Sequence, residues 1–369
     1  MLAQWLYSLS SLFGPLNVFR YITFRAAAAC ATAFFIALVA GHWIIRWLRG
    51  RQMLEDTSKP DAAKLDELHR GKRNTPTMGG LILLASVPVS AILWASVTNF
   101  YILLGLGVFL ALSLLGLADD LLKLNYKRTR KGIRGLTKRL KFIPQFVIGL
   151  LAAWALWLHA SGAPVGGAIY LPFFKDISLT LGAGIIVWGA FIVAATSNAV
   201  NITDGLDGLA TGCAAVTCLA LAGVTYVTGR PDFSAYLFTP AVPGASELCV
   251  LAAALLGALL GFLWYNCHPA EVFMGDTGSL PLGGLIGFIA LAVKHEVLLL
   301  LIGLVFVAEV TSVILQIGSY QTTGKRIFPI APFHHALEYL GWNENKITIR
   351  LWILAALAAG FGLVSLKLR

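Results

Sequence analysis

The sequence contains few charged residues. Of its 369 residues, 12% are Asp, Glu, Lys or Arg, whereas 58% are hydrophobic. This composition excludes an ordinary soluble globular domain and is typical of a polytopic membrane protein. No basic residue precedes Arg20 and the first apolar run is long, so we expect no cleavable signal peptide. The five cysteines lack paired ligand spacing, which argues against a zinc site.

Several catalytic and binding motifs are also missing. The sequence has neither a GxxxxGK[ST] phosphate-binding loop nor an HExxH motif, so it does not support an ATP-driven pump or a zinc peptidase. No nucleic-acid-binding motif accompanies the net charge of +10. We therefore expect no nucleic-acid partner, and basic loops beside a lipid bilayer explain the charge.

What the sequence does contain is a series of apolar runs, each near the length of about 20 residues that a helix needs to cross a bilayer. The runs are 22–48, 78–97, 100–118, 142–159, 181–196, 208–226, 248–264, 280–293, 297–317 and 347–366. We predict an all-α polytopic integral membrane protein with about ten transmembrane helices. Residues 1–369 are expected to form a single membrane-embedded transferase domain, for reasons given below.

Lys and Arg residues are distributed unevenly between the two sides. The loops that follow the odd-numbered runs contain 21 of them from Arg46 onward, against 7 in the remaining segments and both ends. Because basic loops stay in the cytoplasm, both termini are predicted to lie outside. The predicted cytoplasmic loops are 49–80, 119–141, 197–208, 265–279 and 319–346.

Paired aspartates end the third apolar run. Asp119 and Asp120 follow Ala118, where we expect the carbonyl end of a helix to disfavour negative charge unless a cation compensates it. Adjacent helical residues point about 100° apart, so the two carboxylates should have different roles. Two solvated acids beside a basic loop are the plain alternative.

Further polar residues fall in the same predicted cytoplasmic loops. Asn198, Asn201, Asp204 and Asp207 recur at every third position between runs five and six, and Asp276 follows Gly275. Helix capping by Asp207 would explain part of this pattern. Carboxylates close to lysines suit Mg²⁺ with an attached pyrophosphate better than an anion alone. The pattern therefore predicts a phosphoryl-transfer site at the inner membrane face.

The last predicted loop contains two adjacent histidines, His334 and His335. Pro332 can open a short helix, and we predict that His334 pairs with Glu338 one turn later. Glu309 lies within the ninth apolar run, where an ionisable residue usually faces a cavity or a partner.

Five segments together carry a family resemblance. They are Thr75-Pro-Thr-Met-Gly-Gly80, Ala118-Asp-Asp120, Asn198-Ala-Val-Asn-Ile-Thr-Asp-Gly-Leu-Asp-Gly208, Phe273-Met-Gly-Asp-Thr-Gly-Ser279 and Lys325-Arg-Ile-Phe328. The chain resembles the phospho-N-acetylmuramoyl-pentapeptide transferases of bacterial peptidoglycan synthesis. This family belongs to the polyprenyl-phosphate N-acetylhexosamine-1-phosphate transferase superfamily.

The resemblance implies an activity and a location. Phospho-MurNAc-pentapeptide would pass from UDP-MurNAc-pentapeptide to undecaprenyl phosphate, giving lipid I and UMP, with Mg²⁺ as cofactor. The enzyme would span the bacterial inner membrane many times with its active site facing the cytoplasm, and a homodimer is common in the family. A transferase for N-acetylglucosamine-1-phosphate, or a secondary transporter with a midplane site, remains as an alternative.

The resemblance also implies roles for individual residues. Asp119 would deprotonate or orient the lipid phosphate, Asp120 would support the site, Asp276 would bind Mg²⁺ and His334 would act at the active site. The expected substrate-binding residues are Lys72, Thr77, Lys123, Asn201, Asp204, Asp207, Asn266, Phe273 and His335. The family usually has a third consecutive histidine where this chain has Ala336. Attack by the lipid phosphate and a phospho-enzyme route both stay open.

Overall fold

A computed structural model of the chain describes residues 2–54, 72, 75–129, 135–160, 164–174 and 177–367. The predicted loops 49–80 and 119–141 therefore lie partly outside the described residues. Within the described part, the chain is built mainly from α-helices. Their bounds are α1 Leu2–Ser8, α2 Ile22–Gly50, α3 Gly80–Trp94, α4 Phe100–Thr129, α5 Lys138–His159, α6 Ile185–Thr203, α7 Leu209–Thr228, α8 Pro231–Leu237, α9 Leu248–Asn266, α10 Asp276–Ala292, α11 Leu299–Ile302, α12 Leu304–Thr323, α13 Phe333–Tyr339 and α14 Glu344–Ser365.

Eight of the described helices are long and apolar enough to cross a membrane. Two shorter apolar helices, α3 and α10, lie where the sequence predicted further spans. On the long helices, large apolar side chains are exposed, among them Leu114 of α4, Ile314 of α12 and Leu357 of α14. A bilayer would cover them, so the chain is a multi-pass membrane protein.

A small β-hairpin corrects the all-α prediction. Strands β1 Ala168–Tyr170 and β2 Ser178–Thr180 pair antiparallel between α5 and α6, with Ile169 opposite Leu179. These segments are rich in β-branched and aromatic residues, which favour strands. They are too short to register as a separate element in a hydropathy pattern.

The paired aspartates do not end a helix as predicted. Helix α4 continues past Asp119 and Asp120 to Thr129, because the Leu-rich segment that follows has good helix formers and buries Leu124. The helix dipole therefore does not explain why these carboxylates need a cation. The reason lies in the side chains around these two carboxylates, which are described below.

Helix α10 forms the centre of the fold. All 17 of its residues are buried, and it packs most extensively against α4 and α6. A helix that is apolar over most of its surface must be surrounded by lipid or by protein, and here protein surrounds it. Helix α9 packs against α2 and α7. Helix α10 begins at Asp276, so this predicted site residue lies within the buried part of the protein.

Close backbone approaches fix the position of that N-terminus. A Cβ on Gly116 of α4 would lie 2.1 Å from the Asp276 carbonyl oxygen, and one on Gly80 would lie 2.1 Å from the Gly278 nitrogen. The preceding segment pairs with the start of α3, where the Gly79 amide donates to the Phe273 carbonyl at 2.7 Å. Two segments distant in sequence thereby form one rigid entrance to α10.

Candidate active site

Three carboxylates meet two lysines at the start of α10. Asp119, Asp120 and Asp276 are each at most 7% exposed, and their oxygens lie within 4.8 Å of one another. Lys123 Nζ lies 2.8 Å from Asp119 Oδ2 and 3.0 Å from Asp276 Oδ2. Lys141 Nζ lies 2.6 Å from Asp119 Oδ2 and also contacts Asp276. We call these five residues the carboxylate cluster.

Asp120 has contacts different from those of Asp119. Its carboxylate accepts hydrogen bonds from the Asp276 amide at 3.3 Å, the Thr277 amide at 2.9 Å and the Thr277 hydroxyl at 2.8 Å. It thus satisfies amides at the N-terminus of α10, where negative charge is favourable. Asp119 instead accepts from the Leu136 amide at 2.6 Å and faces the lysines. The two adjacent carboxylates therefore have different partners: Asp120 binds the start of α10, and Asp119 binds the lysines and the Leu136 amide.

Asn201 connects the end of α6 to this cluster. Its side-chain amide donates to Asp276 Oδ1 and to Ser279 Oγ, both at 2.8 Å. Gly275, at φ +70°, adopts a backbone conformation that favours glycine, and a Cβ there would lie 2.8 Å from Asp120 and 3.1 Å from Thr77 Oγ1. Thr77 is buried beside the same entrance.

A second group of charged residues surrounds Lys72. Its ammonium donates to Asp207 Oδ1 at 2.7 Å and contacts Glu344 of α14. His268 Nδ1 lies 3.0 Å from Asp207 Oδ2 and 3.6 Å from Glu344 Oε2. We call Lys72, Asp207, His268 and Glu344 the Lys72 cluster.

The capping explanation for Asp207 is wrong. Gly208 occupies the N-cap position of α7, with φ +71° and no side-chain cap. The Asp207 carboxylate turns away to Lys72 and also accepts from the Ala270 amide at 3.1 Å. An ammonium and an amide donor from other segments offer it stronger partners than its own helix does.

Two further expected substrate-binding residues, Asn266 and Phe273, are held by hydrogen bonds of their own. Asn266 is buried, accepts from the Thr211 hydroxyl at 2.7 Å and donates to the Val272 carbonyl at 3.0 Å. Both of these hydrogen bonds tie the end of α9 to the protein. Phe273 is half-buried, and its backbone amide donates to the Pro76 carbonyl at 2.9 Å.

His334 does not pair with Glu338, which corrects the sequence prediction. Helix α13 does begin after Pro332, but His334 turns toward α12, where its Nδ1 lies 3.1 Å from Glu309 Oε2. His335 Nδ1 is the atom that lies 2.6 Å from Glu338. Glu338 is about one helical turn from both histidines, so local spacing allows either pair, and tertiary packing places Glu309 beside His334.

The end of α6 and the connection that follows it lie beside the carboxylate cluster, the Lys72 cluster and His334. Asn201 contacts the carboxylate cluster, Asp207 contacts Lys72, and a Cβ on Gly205 would lie 2.3 Å from His334 Nε2. Asp204 is half-buried at the end of α6, between these contacts. Asn198 points elsewhere and donates to Gln145 of α5 at 2.6 Å. The three-residue repeat therefore joins several groups instead of forming one ligand set.

Comparison with known proteins decides the family. Residues 100–294 match the model described as glycosyl transferase family 4, and residues 72–84 match phospho-N-acetylmuramoyl-pentapeptide-transferase signature 1. The chain is 44% identical over 365 residues to the phospho-N-acetylmuramoyl-pentapeptide-transferase of Rhodopseudomonas palustris strain BisB18, covering 99% of each chain. It is also 44% identical over 355 residues to the protein of that name from Wolinella succinogenes, covering 96% of this chain and 97% of the relative.

The chain belongs to the phospho-N-acetylmuramoyl-pentapeptide transferase family. The resemblance inferred from the five segments is thereby confirmed. Signature 1 includes Lys72 and Thr77, and the glycosyl transferase match includes Asp119, Asp120 and Asp276.

Sequence reasoning missed four residues of this family member that contact the predicted site: Lys141, Thr277, His268 and Glu344. Lys141 was counted among nine basic residues of one loop, with no signal to separate it from the others. Glu344 follows Asn343, so its place in the first turn of α14 looks like an ordinary helix start. No local pattern distinguishes such residues.

Proposed function

We propose that the chain transfers phospho-MurNAc-pentapeptide from UDP-MurNAc-pentapeptide to undecaprenyl phosphate, giving lipid I and UMP in peptidoglycan synthesis. Family membership over nearly the whole chain supports this reaction. The observation that carries it is the carboxylate cluster, which holds two ammonium groups against three buried carboxylates. With a divalent cation to offset the carboxylate charge, such a site suits two anionic phosphates that must approach each other.

The proposed chemistry is a phosphoryl transfer. An oxygen of the lipid phosphate forms a bond to the sugar-bearing phosphorus of the nucleotide, and the bond from that phosphorus to the bridging oxygen breaks. UMP leaves with this oxygen and its electron pair. In a direct route, Asp119 orients the lipid phosphate or takes its proton at a carboxylate oxygen. Lys123 and Lys141 neutralise charge on the transferred group.

The donor set of the cluster fits Mg²⁺. Mg²⁺ prefers carboxylate oxygens and keeps several waters, and three buried carboxylates supply such oxygens. Asp120 is already engaged by Thr277, so we propose that Asp276 holds the ion with Asp119 nearby. When bound, Mg²⁺ would neutralise phosphate charge. The lysines and Asn201 would then fix the orientation of the surrounding carboxylates and substrate phosphates.

The other predicted site residues are proposed to contact the substrates. Lys72, Asp204, Asp207, Asn266 and Phe273 would bind the nucleotide sugar, with Phe273 stacking on the uracil. Thr77 would contact substrate at the entrance of α10. His334 and His335 would lie beside the reacting groups, with Ala336 leaving space where the family usually has a third histidine.

We also propose the membrane arrangement. Eight long helices with α3 and α10 support ten spans in one domain, and the distribution of Lys and Arg supports outer termini. The site would then face the cytoplasm at the bacterial inner membrane. A homodimer is a further proposal from the family. A transporter site should lie near the bilayer midplane, whereas Asp276 lies at the first residue of its helix.

The experiment is release of UMP from UDP-MurNAc-pentapeptide with undecaprenyl phosphate, using detergent-purified protein with and without Mg²⁺. Asp276→Asn and Asp119→Asn should each lower kcat by about a thousandfold or more, since the reacting charges lose their partner. Lys141→Gln should lower it by about tenfold to a hundredfold. Lys138→Gln, an exposed residue one turn earlier, is the matched control.

Normal melting temperatures must accompany these losses for them to report on catalysis. Turnover that persists in Asp276→Asn, or that is unaffected by removal of Mg²⁺, would reject the proposed site. Release of UMP from UDP-GlcNAc but not from UDP-MurNAc-pentapeptide would identify the rival transferase.

A further inference from the structure

Glu344 links two parts of the Lys72 cluster that lie far apart in sequence. It is in the first turn of α14 and its side chain is 12% exposed. One carboxylate oxygen, Oε1, contacts Lys72 Nζ and also accepts from the Asp207 backbone amide at 2.8 Å. The same side chain therefore restrains a lysine from before α3 and the peptide backbone before α7.

The ammonium of Lys72 is held by two carboxylates. Asp207 Oδ1 lies 2.7 Å from Nζ on one side, and Glu344 contacts it on the other. A lysine side chain has four flexible bonds, so a single partner leaves much of its rotamer freedom in place. The second carboxylate reduces that freedom and selects one position for the charge.

The Asp207 backbone is restrained by the same group. Asp207 precedes Gly208, whose left-handed φ interrupts the helix between α6 and α7. Thr348 of α14 also donates to the Asp207 carbonyl, at 3.4 Å. Helix α14 thus contacts the amide and the carbonyl of one residue in the break. The position of α14 therefore restrains the backbone of Asp207, and with it the carboxylate that faces Lys72.

We propose that Glu344 is a positioning residue for the nucleotide-sugar pocket. It does not contact the substrate. It fixes Lys72 and Asp207 before the substrate arrives, so less ordering is needed on binding. This inference rests on the proposed function, because that function assigns Lys72 and Asp207 to nucleotide-sugar binding.

A purely structural role for Glu344 has a different signature. Acidic residues are favourable in the first turn of any helix, and Asn343 already caps α14 through the Asn345 amide at 3.0 Å. A residue that only supports the helix would change the melting temperature and the amount of active protein. It would leave the affinity of the folded protein for substrate unchanged.

The test compares Glu344→Gln and Glu344→Ala with wild type. UMP release gives kcat and KM for UDP-MurNAc-pentapeptide at saturating undecaprenyl phosphate, and calorimetry without the lipid gives Kd for the same nucleotide sugar. Glutamine keeps an oxygen for the Asp207 amide but loses the charge. We expect KM and Kd to rise about threefold in Glu344→Gln and about tenfold in Glu344→Ala, with kcat within about twofold of wild type.

Glu271→Gln is the matched control. Glu271 is an exposed acid that pairs with Arg49 at 3.7 Å, so its removal should leave all three constants unchanged. Unchanged KM and Kd in both Glu344 variants would overturn the proposal, and so would a fall in kcat alone. If wild type binds the nucleotide sugar but releases no UMP, the proposed reaction fails, while Kd still decides the role of Glu344. If folded wild type does not bind it, both proposals fail.

Discussion

The carboxylate of Glu309 faces both the backbone and the ring of His334. The His334 amide donates to Glu309 Oε1 at 3.2 Å, and Nδ1 lies 3.1 Å from Oε2, at ion-pair distance. Both side chains are buried. The ring is confined on its other side, where a Cβ on Gly205 would lie 2.3 Å from Nε2. Glu309, noted in the sequence only as a supporting residue, thus fixes where the imidazole lies.

Replacing Glu309 with glutamine should impair catalysis through His334. The amide keeps the size of the side chain but removes the negative charge beside Nδ1. A hydrogen bond or contact to a charged group contributes about 1.5 to 3 kcal/mol, which corresponds to about a tenfold to hundredfold fall in kcat. UMP release measured with detergent-purified protein checks this expectation.

Ser312→Ala provides the matched control for that change. Ser312 lies one turn further along α12, is buried, and donates its hydroxyl to the Glu309 carbonyl at 2.7 Å. Its removal leaves the Glu309 carboxylate in place, so kcat should fall less than about twofold. Equal losses in both variants would indicate damage to α12 instead of an effect on His334.

Gly116 should not tolerate a methyl group. A Cβ there would lie 2.1 Å from the Asp276 carbonyl oxygen, which is backbone and cannot rotate away. Gly116→Ala must therefore separate α4 from α10, at a cost of about 1 to 3 kcal/mol typical of an overfilled core. Because Asp276 is the first residue of α10, we expect UMP release to fall together with the melting temperature.

Gly107→Ala tests whether that loss comes from contact with α10. Gly107 lies in the same helix, and a Cβ there would meet nothing within 4 Å. Alanine is a better helix former than glycine by about 1 kcal/mol, so this variant should melt at an equal or higher temperature. If both variants were equally impaired, close packing at Gly116 would not be the cause.

Glu296 should make stability depend on pH. It lies in the turn between α10 and α11, outside the apolar helices, and is 2% exposed. Burial raises the pKa of Glu296 from 4.5 to about 7. The folded protein therefore binds the proton more tightly than the unfolded chain does. This contribution to stability is fully present below about pH 4.5 and is lost as the pH rises to about 7.

Melting temperatures measured between pH 5 and pH 8 check this prediction. The shift corresponds to up to about 3 kcal/mol across its whole range, and Glu296→Gln should make the pH dependence shallower. Glu271→Gln, which replaces an exposed acid, should keep the wild-type slope. An identical slope in Glu296→Gln and wild type would contradict the raised pKa.

Local sequence patterns were enough to predict the long helices and to recognise the family. Long apolar runs must form helices in a bilayer, because backbone groups have no water there and need partners within the same segment. This local rule located α7 and α9 closely, and it located the start of α4 but not its end. The segments around Asp120 and Asp276 identified the family because their residue order is specific over much of the chain, a conclusion the relatives confirm.

Some local features were beyond these rules. The length of α4 depends on helix propensity and on burial of Leu124 after the apolar run ends. The hairpin of β1 and β2 contains three residues in each strand, fewer than an alternating pattern needs to be recognised.

The pairing of the charged groups, in contrast, depends on how distant segments pack together. Lys72, Asp207, His268 and Glu344 come from four separate segments, and their contacts depend on how α14 and the break before α7 pack. His334 illustrates the same point, since local spacing favoured Glu338 but packing placed Glu309 beside it. Coulomb attraction depends on distance in space, and a sequence pattern specifies that distance only within one helix or strand.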